Sequence, residues 1–163
     1  MGPTLAIASS SRKWVEGHLL RLGLLDRFHI LRCSGDVPRV KPDPALCLAV
    51  LEATAVRAGD ALALEDSPNG VLAAKRAGLA CAAVPNALTA RLDLGAADLR
   101  LASLAACPHT LTSFRSPTAK PYGLHSRPAR RCRRGAGPPR PCRRPLIELD
   151  IFLEQASADA EFP

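Results

Sequence analysis

Short apolar runs alternate, over the first two-thirds of the chain, with stretches whose apolar positions recur every three or four residues. The run TLAIA at 4–8 predicts a buried strand and stops at Ser9, Ser10 and Ser11. Trp14, Val15, His18, Leu19 and Leu22 then fall on one face at helical spacing, and Gly23 is a natural stop. FHILRC at 28–33 predicts a second strand. Pro42 or Pro44 can open the next helix, because the first turn needs no proline donor. Leu46, Cys47, Val50 and Leu51 give that helix an apolar face, and it ends before Gly59. ALAL at 61–64 is a third strand ending at Glu65 and Asp66. SPNG at 67–70 reads as a turn, and 71–77 as a short helix closed by Gly78. A fourth run, 80–84, stops at Pro85 and Asn86, and LRL at 99–101 predicts one more short strand. Strand and helix in alternation predict an α/β fold with a parallel sheet, and wholly apolar strands suit a sheet covered on both faces. No internal repeat is present.

Composition divides the chain. At 163 residues and 47% hydrophobic content it is long enough for one domain with a real core. Residues 1–107 carry 12 basic and 10 acidic side chains; residues 108–147 carry ten basic and no acidic ones, with eight of the fifteen prolines. Proline removes backbone donors and like charges repel, so 108–147 is expected to be disordered or extended. The organisation expected is therefore a core over 1–107, a basic Pro/Arg-rich segment over 108–147, and an end piece over 148–163. Across the start of the end piece, over 146–156, Leu146, Leu149, Phe152 and Leu153 share a helical face, which predicts a short helix. The Arg, Pro, Gly and Ala content of the basic segment also matches GC-rich DNA read in a shifted frame, and Met1 reads equally as an internal start in a longer gene.

Several classes are excluded on composition. No run approaches the roughly 20 apolar residues of a membrane-spanning helix. The N-terminus lacks the basic region of a signal peptide. Six cysteines, none in a Cys-x-x-Cys pair, fit a reducing compartment, so the cytoplasm is the expected location. Cys47 and Cys81 read as small core residues. His18, on an apolar helix face, reads as packing.

Ligands in such sheets bind beyond the carboxyl ends of the strands. Three features fall on that edge. Ser9, Ser10 and Ser11 precede a helix N-terminus, where hydroxyls and free N–H groups suit a phosphate; an ordinary helix cap is the plainer reading. Lys41, in a strand-to-helix loop, can give a compact positive charge to a phosphate or carboxylate, although a lone lysine is usually only solvated. Glu65 and Asp66 suit a hard cation such as Mg²⁺, against the plainer reading of Asp66 as the cap of the next helix.

Together these segments resemble the second half of a haloacid dehalogenase-like hydrolase, in the phosphatase and β-phosphoglucomutase-like branch of subfamily I. LAIASSSRK at 5–13 is similar to the family's second motif, VKPDP at 40–44 to its third, and ALEDSPNGVLAAKRAG at 63–78 to its fourth. The resemblance covers about residues 4–105. It implies a partial HAD-like Rossmannoid sheet with flanking helices and Mg²⁺-dependent phosphatase or phosphomutase chemistry on a small phosphorylated metabolite. It also implies that Ser9 and the N–H of Ser10 hold the phosphoryl group, that Lys41 neutralises its charge, and that Asp66, with Glu65 beside it, holds Mg²⁺.

One departure bears on activity. The family's first motif is Asp-x-Asp-Gly-Thr, whose first Asp is the nucleophile and whose second is the general acid/base. No Asp-x-Asp occurs in this chain. The helical cap that follows that motif is missing as well, so the expected form is truncated and catalytically impaired. Asp150 follows the apolar run LIEL but lacks the second Asp and the Gly-Thr turn, which argues against it as a displaced nucleophile. In the family the missing strand lies between those of motifs two and four, so those two are expected to pair directly or to leave open edges, giving a marginal fold. The alternative function is non-specific nucleic-acid binding through the basic segment, with Arg130, Arg131, Arg133 and Arg134 at its centre. No motif for base readout supports it.

Overall fold

The computed structural model describes residues 4–106 and the backbone of 146–149. The strands are β1 (Thr4–Ser9), β2 (Ile30–Cys33), β3 (Ala61–Glu65), β4 (Ala80–Ala83), β5 (Leu99–Arg100) and β6 (Leu146–Leu149). The helices are α1 (Arg12–Arg21), α2 (Ala45–Thr54) and α3 (Pro68–Arg76). All strands join one sheet in the order β2-β1-β6-β3-β4-β5, and every pairing is parallel. This is the expected α/β architecture.

The alternation of side chains along each strand assigns the two faces. Ala6 and Ala8 of β1, Ala61 and Ala63 of β3, and Cys81 and Ala83 of β4 face one way. They meet Leu46, Cys47, Val50 and Leu51 of α2 and Val71, Ala73 and Ala74 of α3. The strand residues on this face are small, which lets both helices approach the sheet closely. On the opposite face Ile7 packs against Val15 and Leu19 of α1. Leu62, Leu64, Ala80 and Ala82 pack there with Leu101. Each large apolar side chain buried this way contributes about 1.5–3 kcal/mol. Cys33, Cys47 and Cys81 are buried thiols. No described helix is long and apolar enough to cross a membrane.

Helix ends follow local chemistry. After α1, Gly23 at φ 65° lets its N–H reach the Leu20 carbonyl and the Leu24 N–H reach that of Leu19. Gly78 at φ 81° closes α3 in the same way, through Leu79 to Ala74 and its own N–H to Lys75. The 67–70 stretch is not a free-standing turn: α3 begins at Pro68, capped by Ser67, whose hydroxyl accepts from the Gly70 N–H at 3.1 Å. At the far edge, Lys75 and Asp98 pair at 2.6 Å while Asp98 also accepts from the Cys81 N–H, fastening β5 to β4.

Two expectations are corrected. Residues 146–149 form a parallel strand rather than the start of a helix. Leu146, Ile147 and Leu149 form a short apolar run, which helical spacing alone cannot tell from a strand; the pairing available on both sides decides it. Its first two residues, Leu146 and Ile147, belong to the segment expected to be disordered or extended, and its last two to the end piece. Nor do β1 and β3 pair directly or face each other as open edges: β6 lies between them, with Ile147 level with Leu5 on one side and Leu62 on the other. Trp14 is a smaller correction, being 44% exposed rather than packed inward. The expectations for 107–145, including Arg130, Arg131, Arg133 and Arg134, and for 150–163, including Asp150, lie outside the described residues.

Candidate active site

In a parallel sheet all carboxyl ends share one edge, so Ser9 at the end of β1 and Glu65 at the end of β3 lie on the same side of the molecule. Register through β6 is more specific. Leu5 and Leu62 both align with Ile147, so continuing the count brings Ser9 level with Asp66. One strand separates them, which is a gap of about 9–10 Å at the usual strand spacing.

Ser9 is buried and Ser10 exposed. The Ser9 hydroxyl accepts from the Ser11 N–H at a long 3.5 Å. Ser11 occupies the cap position of α1 but makes no side-chain capping bond. The serine run is therefore not explained by ordinary capping. Arg12, the first residue of α1, donates to Glu16 at 3.0 Å and also to Asp36. The Cys33 N–H, donating to Asp36 at 2.8 Å, holds that carboxyl below the usual range, with Arg12 adding to the effect.

Lys41 and Glu65 are brought together. The lysine Nζ donates to Glu65 Oε1 at 2.5 Å, with the two side chains 5% and 1% exposed. Both flanks of the lysine loop are tied down. Arg76 of α3 donates to the Pro42 carbonyl at 2.7 Å. The Asp43 carboxylate accepts from the N–H of Ala45, the first residue of α2, at 3.0 Å and pairs with Arg39. Glu65 also depends on Gly70. A Cβ at that position would stand 1.7 Å from Glu65 Oε2 and 2.2 Å from its Cδ. Since α3 is an ordinary helix there, the glycine is required by close approach and not by backbone conformation.

Asp66 does not cap α3; Ser67 does. The Asp66 carboxylate instead accepts from the Asn86 side-chain amide at 3.0 Å. Asn86 is itself fixed, its Oδ1 accepting from the N–H groups of Leu88 and Thr89 at 2.8 and 3.0 Å. In the sequence Asn86 reads only as a strand stop. Its signal was only a Pro-Asn pair at the carboxyl end of a strand, and its link to Asp66 spans 20 positions.

The carboxylates of Asp66 and of its chain neighbour Glu65 offer oxygen ligands, the kind Mg²⁺ prefers. Among the described residues no three His, Cys, Asp or Glu side chains gather at one point. Mg²⁺ commonly takes one or two carboxylates and completes its shell with water and phosphate oxygens, so Asp66 with Glu65 fits part of such a shell. The glycine cradle at residue 70 keeps room for the Glu65 carboxylate beside it.

Comparison with known proteins gives the family. Residues 1–84 match the family model of the haloacid dehalogenase-like hydrolases. The chain is 45% identical over 106 residues to YhcW of Bacillus subtilis, covering 64% of this chain and 48% of that protein. It is 39% identical over 79 residues to the validoxylamine A 7'-phosphate phosphatase of Streptomyces hygroscopicus, covering 48% of this chain and 37% of the phosphatase. Among solved structures, CbbY of Rhodobacter sphaeroides, crystallised with phosphate, superposes with a TM-score of 0.60 at 34% identity, over 63% of this chain and 47% of that one. The chain thus spans about half the length, or less, of these relatives. Buried Lys41 against Glu65, Asp66 steadied by Asn86, and the family match over the first 84 residues lead to one conclusion: the chain belongs to the haloacid dehalogenase-like hydrolases, in their phosphatase branch.

Proposed function

We propose that this edge binds the phosphoryl group of a small phosphorylated metabolite together with Mg²⁺, the binding half of phosphatase or phosphomutase chemistry. The observation that carries the reading is the buried Lys41–Glu65 contact beside Asp66 at the end of β3, level with Ser9 across the sheet. Ser9 and the Ser10 N–H would donate to phosphate oxygens. Lys41 would share its charge between Glu65 and the phosphate. Asp66, oriented by Asn86, would hold the metal, with Glu65 beside it. Bound there, Mg²⁺ would neutralise phosphate charge and polarise the phosphorus–oxygen bonds, the dominant contribution in phosphoryl transfer. The Asp-x-Asp pair that does the covalent and acid–base work in the resembled family occurs nowhere in this chain. The reading therefore gives binding with impaired turnover.

Calorimetric titration with Mg²⁺ and inorganic phosphate tests it. The expected result is mutual enhancement of the two ligands, abolished in Asp66→Asn. Asn86→Ala should keep the fold and weaken Mg²⁺ about 10–100-fold, the usual effect of losing a group that orients a metal ligand. Phosphate binding that is indifferent both to Mg²⁺ and to Asp66 would refute the assignment.

A further inference from the structure

Two loops at neighbouring strand ends carry the groups assigned to phosphate. One is Ser10 and Ser11, between β1 and α1; the other runs from Ser34 to Lys41, after β2. Their roots are level, because Ser9 pairs with Cys33 in the sheet register. An anion held by serine donors on one side and by Lys41 on the other needs a fixed spacing between the loops. The serine loop is carried by α1, which packs on Ile7 through Val15 and Leu19. The far end of the lysine loop is held by Arg76 on the Pro42 carbonyl. One side-chain contact crosses from loop to loop. Arg12, which follows Ser11 and opens α1, donates to Asp36. Asp36 ends a single 3₁₀ turn, Ser34–Asp36, that folds it back over Cys33. There its Oδ2 accepts from the Cys33 N–H at 2.8 Å as well as from Arg12, and the Cys33 side chain accepts from the Asp36 N–H.

We infer that Arg12 and Asp36 form a positioning clamp, which sets the spacing of the serine loop and the lysine loop for phosphate binding. This rests on the phosphate and metal reading above and deepens it. Neither group touches the phosphate in this assignment: Arg12 acts through Ser9 to Ser11, and Asp36 through the chain leading to Lys41. Arg12 suits the task because its other terminal nitrogen is braced by Glu16 at 3.0 Å. A rigid guanidinium fork can serve two carboxylates at once, which a point charge on a flexible stem cannot. Asp36 is ionised at neutral pH, its carboxyl held below the usual range by the Cys33 N–H and then by Arg12. The two side chains are 42% and 31% exposed, and a surface ion pair of that kind adds little to stability. Its value therefore lies in where it sits. A guanidinium beside a serine loop could instead bind phosphate directly. The two roles differ in what Asp36 does: it assists a clamp, but it competes with phosphate for a ligating Arg12.

Calorimetry on the full chain tests this, with inorganic phosphate in the presence of Mg²⁺ and with Mg²⁺ alone. The variants are Arg12→Met, Asp36→Asn and the two combined, each also unfolded in urea. Asn at position 36 keeps an acceptor for the Cys33 N–H and removes the charge that draws Arg12. Arg12→Met should weaken phosphate about tenfold, the order of one charge-assisted hydrogen bond, and Asp36→Asn should act in the same direction. The double variant should bind phosphate no more weakly than Arg12→Met, because one clamp is lost only once. Mg²⁺ alone and the urea midpoint should stay as in the parent, since Asp66 lies a strand away and the pair is exposed. Phosphate weakened by Arg12→Met but unchanged or tightened by Asp36→Asn would make Arg12 a direct ligand and overturn the clamp. So would losses that add in the double variant. Parallel loss of phosphate, Mg²⁺ and stability would reduce the pair to a structural contact and overturn it too. A parent that binds both ligands, with all variants binding phosphate alike, removes this inference alone. A parent that binds neither removes the proposed function with it.

Discussion

Lys41 and Glu65 stand 24 positions apart in sequence and 2.5 Å apart in space, with almost no access to water. An ion pair of this kind is poor evidence of stability, since taking two charges out of water costs several kcal/mol each. Its partners are nevertheless interdependent. Lys41→Met should destabilise the fold by about 3–5 kcal/mol by leaving Glu65 charged and buried, whereas the double change with Glu65→Leu should recover most of that loss. Urea unfolding of the parent, both single variants and the double variant gives the coupling directly; additive losses would mean the two groups do not depend on each other. The pair also shows what was legible. Lys41, Glu65 and Asp66 are each readable as candidates because loops at strand ends are where such residues carry chemistry. Which of them touch was not readable, because that depends on how far α2, α3 and the sheet close on one another. Asn86 was missed for the same reason: its partner is 20 residues away, and nothing local distinguishes it from a turn residue.

Helix ends with a local stop signal were readable to within a residue or two, as at Gly23 after α1 and Gly78 after α3, whereas α3 starts three residues earlier than read because Ser67 caps it. The residues of β6 carried a spacing that pointed to a helix, and they become a strand because β1 and β3 leave a place for one. Inside α1, His18 is buried, stacks on Trp14 at 5.1 Å, and has the Arg21 guanidinium 3.1 Å from its Nδ1. Burial first, and then the charge of Arg21, lowers its pKa below the ordinary imidazole value. A depressed pKa means that the unfolded chain takes up the proton more readily. His18 therefore contributes its full share of stability above about pH 6.5, and that share is lost as pH falls toward the folded-state pKa. Urea unfolding should show stability declining over that window in the parent and a flatter profile in His18→Gln. Trp14 is the chain's sole tryptophan, so its emission reports the same titration from within the helix. An unchanged profile in the variant would place the pH dependence elsewhere.

At the scale of the molecule, β6 divides the sheet into two parts, β2-β1 on one side and β3-β4-β5 on the other. The helices bridge them on one face through the shared cluster around Leu46 and Val71, but backbone continuity runs through four residues. Ile147→Pro removes a donor in the middle of that strand, between Leu5 and Leu62. Loss of the cooperative unfolding transition is expected, with amide exchange accelerating in β1 and β3 together. Exchange confined to residues near 147 would mean that the two halves hold together without the strand.

The placement of β6 sets an order of events during synthesis. β1 to β5 lie within the first 100 residues, but the strand that belongs at their centre is separated from Ala106 by residues 107–145. At a translation rate of about 5–20 residues per second, those 39 positions take about 2–8 s to make. For that interval two parallel edges lacking their common neighbour exist on the nascent chain, each able to accept a strand from any passing polypeptide. The last strand added is therefore the one that closes the sheet against strangers.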